Sequence, residues 1–445
     1  MPKVPIWIQD PSQLFRSMDN QGIIEIDIDR PVEHMSRDEQ IDVHGLHSVR
    51  SSDVSLESPA NLSKREGVHC YAVARIVIDM YEALLQDDLS LFPYALNQRK
   101  ELLWSWNQQG RTGGPLKIYP RAGIGLNAFF SHSNRALRFQ YFPSGKIFAC
   151  RSLDLVAHEV GHAVLDALKP GWWRASSRVQ TSALHESFGD LTIIFLFLCH
   201  DTLVNHLYDN LKKEIEAYRV KEPNADLEVV LFELGLFVLN IGEELARARN
   251  ALDDASTSSL RDFRKELKLS TVSNRNSAHS LSRVFTKAIC LIIYNTFIAL
   301  SGEAEPRLVN SFVPLRDSPE GQAKLAMLKQ SGEVVARLML AAMAKAPLKN
   351  ALFVDIAEEM CRQAERFTPL PEGLTQQELH NAVREEFERC EILGREASRR
   401  PQYSFPQWCS SASEAHSMLT WPVRHVPKGG KPKRYSPSRL PLSSL

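Results

Sequence analysis

Apolar positions along this 445-residue chain follow two periods, one in its first third and another in the remainder. Apolar and polar residues alternate over residues 116–119 and 137–142, which predicts two strands of a small sheet. From residue 152 onward, apolar residues recur mainly every three or four positions, which predicts helices. The later helical runs cover residues 280–300, 322–346, 351–367 and 376–393. Together these patterns predict an α+β protein with a small β-containing N-terminal lobe and a helical C-terminal lobe.

Changes in composition divide the chain into four predicted parts. Residues 1–67 form an N-terminal extension of unknown role, in which one possible short strand at 22–29 is surrounded by polar residues. Residues 68–175 form the N-terminal lobe, and residues 176–394 form the helical C-terminal lobe. Residues 395–445 are rich in Ser, Pro and basic residues, a composition typical of a disordered tail.

Two helices are predicted where the lobes meet. The first follows Ser152, a residue type that caps helix N-termini, and ends at the Lys-Pro-Gly sequence of residues 169–171. The second begins near Thr181 and continues through an apolar run to Leu198. We expect this run to be buried in the protein and too short to cross a bilayer, so we predict no membrane span.

The first of these helices carries the sequence His-Glu-Val-Gly-His at residues 158–162. Residues four apart lie on one helix face, about 6 Å apart along the axis, so His158 and His162 can bind one metal ion together. Glu159 then lies beside the metal rather than on it. A chain with 14 His contains this pentad by chance in on the order of a few per cent of cases, so the neighbouring residues decide its meaning.

Two acidic residues on the second helix complete a zinc site. Glu186 and Asp190 are again four apart, so Glu186 can be the third protein ligand while Asp190 contacts the far nitrogen of a ligating imidazole. Two His and one Glu leave the fourth position of zinc open, as in catalytic sites, and the pKa of a water bound there falls to about 7. Glu159 is the candidate general base. The alternative is an amphipathic helix whose polar face happens to carry two His. The spacing of Glu186 and Asp190 would then be a coincidence.

The likeness to a known family extends beyond the pentad, over residues 126–130, 152–166 and 278–288. All three segments resemble the thermolysin family of gluzincin metallopeptidases. The resemblance implies a thermolysin-like fold, with the pentad helix between the lobes, and a zinc-dependent endopeptidase that binds one Zn²⁺ and acts on peptide or protein substrates. It also implies that Asn127 and Ala128 of an edge strand bind the substrate backbone. An ordinary hydrophobic strand would carry similar residues.

The resemblance assigns two further residues to catalysis and substrate binding. His279, followed by Lys287 and Ala288 at the family spacing, matches a His that stabilises the transition state. Arg261 matches an Arg that holds a substrate carbonyl. Taken alone, a His at the start of a helix is more often a cap or a packing residue, and Arg261 could equally be a solvated or ion-paired surface residue.

The sequence departs from the family pattern at three places. The family has a Tyr that shares the contact with the oxyanion, but this chain has none there, and Trp173 or Arg174 falls near its position. Asn274 stands where the family has the Asp that orients the catalytic His, and an Asn accepts a hydrogen bond but brings no charge. Asp154 and Glu243 match two calcium carboxylates, but Phe197 occupies a third such position, so we predict no full calcium site.

Composition narrows the expected partners and compartment. Lys plus Arg equals Asp plus Glu at 53 each, so net charge indicates neither a nucleic acid nor an anionic membrane as partner. The seven Cys are odd in number and widely spaced, which favours reduced thiols. The first residues contain no apolar run typical of a secretory signal, so we expect a cytoplasmic protein or one exported without a recognisable signal peptide. The sequence leaves the oligomeric state open.

Two other functions compete with the peptidase reading. A zinc-containing but catalytically impaired protein of the same fold would bind peptides or partners, which the missing Tyr and Asn274 favour. The presence of Glu159 argues against it, because binding requires no base. Alternatively, residues 395–445 bind a partner and the rest of the chain is a platform, although a solvated tail explains their basic residues more simply.

Overall fold

The computed structural model is an α+β protein, as the sequence predicts. It describes residues 3–8, 22–28, 34–46, 62–86, 91–108, 113–142, 147–173, 178–210, 268–272, 274–302 and 316–394. The strands are β1 Lys3–Trp7, β2 Ile23–Asp27, β3 Ile41–Val43, β4 Leu116–Tyr119, β5 Ala128–Ser131, β6 Ala136–Phe139, β7 Tyr141–Phe142 and β8 Ile147–Phe148. The helices are α1 Leu62–Leu85, α2 Leu153–Leu168, α3 Val179–Cys199, α4 Ala278–Ser301, α5 Pro319–Lys345, α6 Phe353–Ala364 and α7 Gln376–Arg389. Residues 201–210 are also helical.

Four strands form a mixed sheet in the order β3-β4-β6-β5. β4 is parallel to both of its neighbours, whereas β5 is antiparallel to β6. The alternation predicted for β4 is confirmed, because Leu116 and Ile118 are buried and Lys117 between them is exposed. β5 lies at the sheet edge, and no strand in the described part of the chain covers its outer side. α2 packs against β5, so the pentad helix lies next to this edge.

The strand predicted over residues 137–142 is divided in the structure at Gln140. β6 ends at Phe139, and Tyr141 and Phe142 pair with β8 instead. The backbone N–H of Gln140 donates to the carbonyl of Asn127 at 2.8 Å, and the carbonyl of Gln140 accepts from Ala149 at 3.2 Å. The chain thus changes partners at this residue, which the unbroken alternation of the sequence does not show.

The described residues before α1 pack together with the lobe that follows. β1 and β2 form an antiparallel hairpin, and β1 packs against α1. β3 adds a strand to the mixed sheet by pairing with β4. α1 begins at Leu62, six residues before the position at which the N-terminal lobe was expected to start. The predicted extension 1–67 therefore contributes a strand and the first turns of a helix to that lobe.

The described helices after α2 form a helical lobe. α3 packs against α2 and α4, and α5, α6 and α7 pack in turn against this pair or one another. By length and composition alone, α3 and α4 could each cross a membrane, so the argument that the α3 run is too short was wrong. Most of each helix is nevertheless buried against protein, which is typical of core helices.

Candidate metal centre

Two glycines allow α2 and α3 to cross closely at the pentad. A Cβ atom on Gly161 would lie 2.4 Å from Oγ1 of Thr192 and 3.1 Å from the Cα atom of Gly189. A Cβ atom on Gly189 would lie 2.7 to 2.9 Å from three ring atoms of His158. Such distances are too short for close-packed carbon atoms, so any larger residue displaces its neighbours. The crossing therefore brings side chains of both helices into one site.

Glu186 of α3 lies between the two pentad histidines of α2. Its Oε2 is 3.7 Å from Nε2 of His158, and its Oε1 is 3.8 Å from Nε2 of His162. Donors that share a tetrahedral ion at bond lengths of about 2.1 Å lie about 3.4 Å apart, so small shifts would suffice to bind one. The three side chains are only 4, 11 and 15% exposed. Two imidazoles and one carboxylate from separate helices thus converge on a single buried point.

Glu159 offers a second carboxylate at the same place. One ligand atom from each of His158, Glu159 and His162 lies within 4.8 Å of the others, so this group could also hold a metal ion. However, Oε2 of Glu159 accepts a hydrogen bond from the backbone N–H of Phe130 at 2.8 Å, which fixes the carboxylate against β5. The Glu186 carboxylate spans both imidazoles. This geometry favours Glu186 as the third ligand and leaves Glu159 beside the ion.

Asp190 approaches the far side of the His158 ring, as the helical spacing predicts. Its Oδ1 lies 3.0 Å from Nδ1 of His158, and the Asp190 side chain is completely buried. Burial on its own lowers the pKa of His158, but the contacts with Asp190 and Glu186 outweigh burial and raise that pKa to about 10. The two carboxylates therefore stabilise the protonated form of this imidazole.

Asn127 and Ala128 lie where β5 begins, at the sheet edge. Asn127 is only 4% exposed. Neither Oδ1 nor Nδ2 of its side chain has a hydrogen-bond partner within the described ranges. Leaving a buried polar group unpaired costs about 1–3 kcal/mol. The amide is thus suited to a ligand that supplies the missing hydrogen bonds.

His279 reaches the same centre from the first turn of α4. Its Nδ1 lies 3.4 Å from Oε2 of Glu186. Ser277 caps this helix, so His279 is not the cap that its position alone would allow. Asn274 is exposed, and its Oδ1 accepts a hydrogen bond from the backbone N–H of Asn276 at 3.1 Å. The described contacts therefore join His279 to Glu186 and place the Asn274 side chain in a local turn.

His185 is a residue of this centre to which the sequence assigned no role. Its Nδ1 lies 2.8 Å from Nδ1 of His162, and its ring meets the Trp173 ring at 5.5 Å between centroids. Its position directly before Glu186 does not indicate this role. On an isolated helix, adjacent residues point about 100° apart, so adjacency alone predicts that His185 faces elsewhere. The close passage of α2 brings His162 to it.

The remaining predicted site residues are accounted for locally or lie outside the described ranges. Ser152 caps α2 as predicted, by accepting a hydrogen bond from the backbone N–H of Leu155. Asp154 follows in the first turn, where a negative charge is favourable without calcium. Phe197 is buried in α3. Arg261, Glu243 and residues 395–445 lie outside the described ranges.

Comparison with known protein families finds no match for this sequence, and a search of curated proteins finds no significant relative.

Proposed function

We propose that this protein is a zinc-dependent endopeptidase with a thermolysin-like arrangement of its two lobes. The observation that carries the proposal is the position of the Glu186 carboxylate, within 3.8 Å of Nε2 of both His158 and His162. The close helix crossing at Gly161 and Gly189 makes this convergence possible. An amphipathic helix that carries two His by chance requires no such crossing.

The donor set supports zinc as the metal. Catalytic zinc sites use two imidazole nitrogens and one carboxylate oxygen, with a fourth position left open. The contact between Asp190 and His158 is the kind of partner that a ligating imidazole has, because it orients the ring and keeps Nε2 toward the metal. His158, His162 and Glu186 would together hold one zinc ion.

The sheet edge supports an extended peptide as the substrate. β5 carries Asn127 and Ala128 at its start, and its backbone at Phe130 holds Glu159. An extended chain adds to such an edge through main-chain hydrogen bonds. The buried amide of Asn127 would pair with the peptide backbone. The scissile bond then lies next to Glu159 and Glu186.

A zinc ion held by His158, His162 and Glu186 would supply Lewis-acid chemistry, which polarises a substrate carbonyl and lowers the pKa of water to about 7. Glu159 takes a proton from the water molecule that attacks the carbonyl carbon, and passes it to the leaving nitrogen as the C–N bond breaks. The hydrogen bond from Phe130 fixes the orientation of the Glu159 carboxylate for both transfers. His279 donates a hydrogen bond to the oxyanion that develops on the carbonyl oxygen.

A fluorogenic peptide assay tests the proposal. We expect Glu159→Gln to lower kcat by about 100-fold or more while zinc stays bound, because general base catalysis contributes this much. Glu358→Gln, the same change at an exposed position of α6, is the control and should match wild type. A chelator should remove the activity, and added zinc should restore it. Equal turnover by wild type and Glu159→Gln, each with zinc bound, would overturn the enzyme proposal.

The second candidate function is a catalytically impaired, zinc-containing protein that binds peptides or partners. The observation that favours it is the position of Asn274, whose side chain pairs with Asn276 rather than with His279. The same assay decides between the two functions. Saturable peptide binding to the zinc-loaded protein, with turnover no higher than that of Glu159→Gln, would support the binding function.

A further inference from the structure

The geometry points to His185 as a positioning residue that holds the metal ligand His162, an assignment that rests on the proposed metal site. The two Nδ1 atoms are 2.8 Å apart, and both residues are buried, at 4% and 9% exposure. Two ring nitrogens at this distance share one hydrogen, so one ring donates and the other accepts.

The direction of this hydrogen bond follows from the position of Glu186. Nε2 of His162 is on the Glu186 side of the ring, 3.8 Å from Oε1. A ligating imidazole is neutral and uses its Nε2 lone pair, which leaves its hydrogen on Nδ1. His162 is therefore the donor, and Nδ1 of His185 is the acceptor. His185 thus selects the metal-binding tautomer of His162 and sets the rotation of its ring, while its own hydrogen is on Nε2.

With this contact, α3 supplies the partners of both ligands on α2. Asp190 contacts Nδ1 of His158 at 3.0 Å, and His185 contacts Nδ1 of His162 at 2.8 Å. Glu186, the third ligand, lies between these two partners on the same helix. A single rigid element therefore determines both the ligand distance and the orientation of the two imidazoles.

Aromatic contacts restrict the His185 ring itself. Trp173 meets it at 5.5 Å and an interplanar angle of 65°. Trp173 also packs edge-on against Phe130 at 5.3 Å and stacks on His132 at 5.4 Å. His132 is held in turn by the buried carboxylate of Asp166, at 3.1 Å from its Nδ1. Rotation of His185 away from His162 would have to displace this packed group.

Two variants distinguish the contribution of the hydrogen-bond acceptor of His185 from the contribution of its planar ring. His185→Phe keeps a planar ring but removes the acceptor. His185→Asn keeps an acceptor at the same reach, because Oδ1 of Asn and Nδ1 of His are both two bonds from Cβ. His380→Phe, on α7, is the matched control at a helix that carries none of the site residues.

The measurement is the dissociation constant of Co²⁺ and Zn²⁺ for each variant, from competition with a chelator. We expect His185→Phe to raise it by about 10- to 100-fold, the usual effect of losing the partner of a metal ligand. His185→Asn and His380→Phe should remain close to wild type. The visible absorption of bound Co²⁺ should change in His185→Phe and return in His185→Asn.

The outcomes distinguish this assignment from the proposed function. Equal metal affinity in wild type and in a folded His185→Phe would overturn the role of His185 and leave the metal site intact. A wild type that binds neither Co²⁺ nor Zn²⁺ would overturn the metal site and this assignment with it. If His185→Phe does not fold, the imidazole tautomers of zinc-loaded wild type decide, by nitrogen NMR. Protonation of His185 at Nδ1 rather than Nε2 would contradict the assignment.

Discussion

The individual side chains of the candidate metal centre are held in place by neighbouring protein groups. Phe130 donates its backbone N–H to Glu159, and Asp190 contacts His158 on the side away from Glu186. Asp190 is completely buried, so its charge acts in a poorly screened environment. A buried carboxylate of this kind both orients the imidazole and strengthens it as a metal ligand.

At this scale we predict that Asp190→Asn weakens zinc binding by about 10- to 100-fold, because the amide keeps the size and an acceptor but not the charge. Competition with a chromogenic chelator measures the change. Asp317→Asn, at an exposed carboxylate, is the control and should leave the affinity unaltered. An Asp190→Asn variant that binds zinc as tightly as wild type would show that the charge of Asp190 has no part in the site.

The pair of helices α2 and α3 forms the site because glycine occupies both sides of their crossing. Gly161 faces Thr192, which in turn shares a hydrogen bond of 2.8 Å with the hydroxyl of Tyr81 on α1. Gly189 faces the His158 ring directly. The packing of α2 against α3 therefore determines the geometry of the metal-ligating side chains. A change in the distance between these helices also changes the candidate metal centre.

At the scale of elements we predict that Gly189→Ala lowers both stability and zinc affinity. Helix propensity alone would stabilise α3 by up to about 1 kcal/mol, but forcing a methyl group against His158 costs about 1–3 kcal/mol. The His158 ring must also shift from its present position. Urea unfolding and zinc titration measure the two effects. Gly114→Ala, where no atom lies within 4 Å of the new Cβ, should change neither. A stabilised variant with full zinc affinity would contradict the prediction.

At the scale of the whole molecule, the residues after α2 attach the N-terminal lobe to the far end of α5. Nζ of Lys169 donates to the carbonyls of Ala344 and Ala346 at 3.0 and 3.1 Å. The indole N–H of Trp172 donates to the carbonyl of Pro347 at 2.9 Å. These bonds satisfy carbonyls at a helix C-terminus, where a positive charge is also favourable. Both lobes are thereby joined close to the pentad.

The buried Lys169 predicts a dependence of stability on pH. Burial lowers the pKa of Lys169 from 10.5 to about 8. Between these values the unfolded chain holds a proton that the folded chain has lost, so this residue makes folding more favourable as pH rises from about 8 to about 10.5. Lys169→Met removes the effect. The free energy of unfolding of wild type, minus that of Lys169→Met, should rise across this window and stay constant below it. Urea unfolding at several pH values tests this, and a constant difference would contradict it.

A buried ion-pair group joins the N-terminal residues to α1. The guanidinium of Arg75 is fully buried and contacts Asp38, Asp79 and Glu82 at 3.2, 3.0 and 3.7 Å. Asp38 comes from the segment before β3, and the other carboxylates come from α1. Arg75 and Glu82 depend on this group most, since their side chains are 0% and 5% exposed and an unpaired charge there would be buried.

We predict that Arg75→Met destabilises the protein by about 3–5 kcal/mol, because it leaves the buried carboxylate of Glu82 and the partly buried carboxylates of Asp38 and Asp79 without their cation. Arg99→Met, which removes an ion pair with Glu39 whose side chains are 71% and 77% exposed, should cost at most about 1 kcal/mol. Chemical denaturation of the metal-free proteins provides the comparison. A similar decrease in the free energy of unfolding in both variants would show that the ion pairs of Arg75 stabilise the protein no more than a surface ion pair does.

Local sequence signals predicted the helices well, because apolar periodicity and caps depend on residues close in the chain. α2 begins after its cap Ser152 and ends at Leu168, before the Lys-Pro-Gly sequence, as expected. The four later helices differ from their predicted ranges by a few residues at their ends. The break at Gln140 was missed, because it depends on hydrogen bonds to Asn127 and Ala149 rather than on its own neighbours.

The sequence by itself determined the helical period of the pentad, the spacing of Glu186 and Asp190, and hence which residue types could meet a metal. Only the tertiary structure decided that Gly161 and Gly189 set the distance between the helices, and that His185 reaches His162. The physical reason is that spacing along one helix is fixed by backbone hydrogen bonds within it. The distance and rotation between two helices instead depend on side chains that pack from remote parts of the chain.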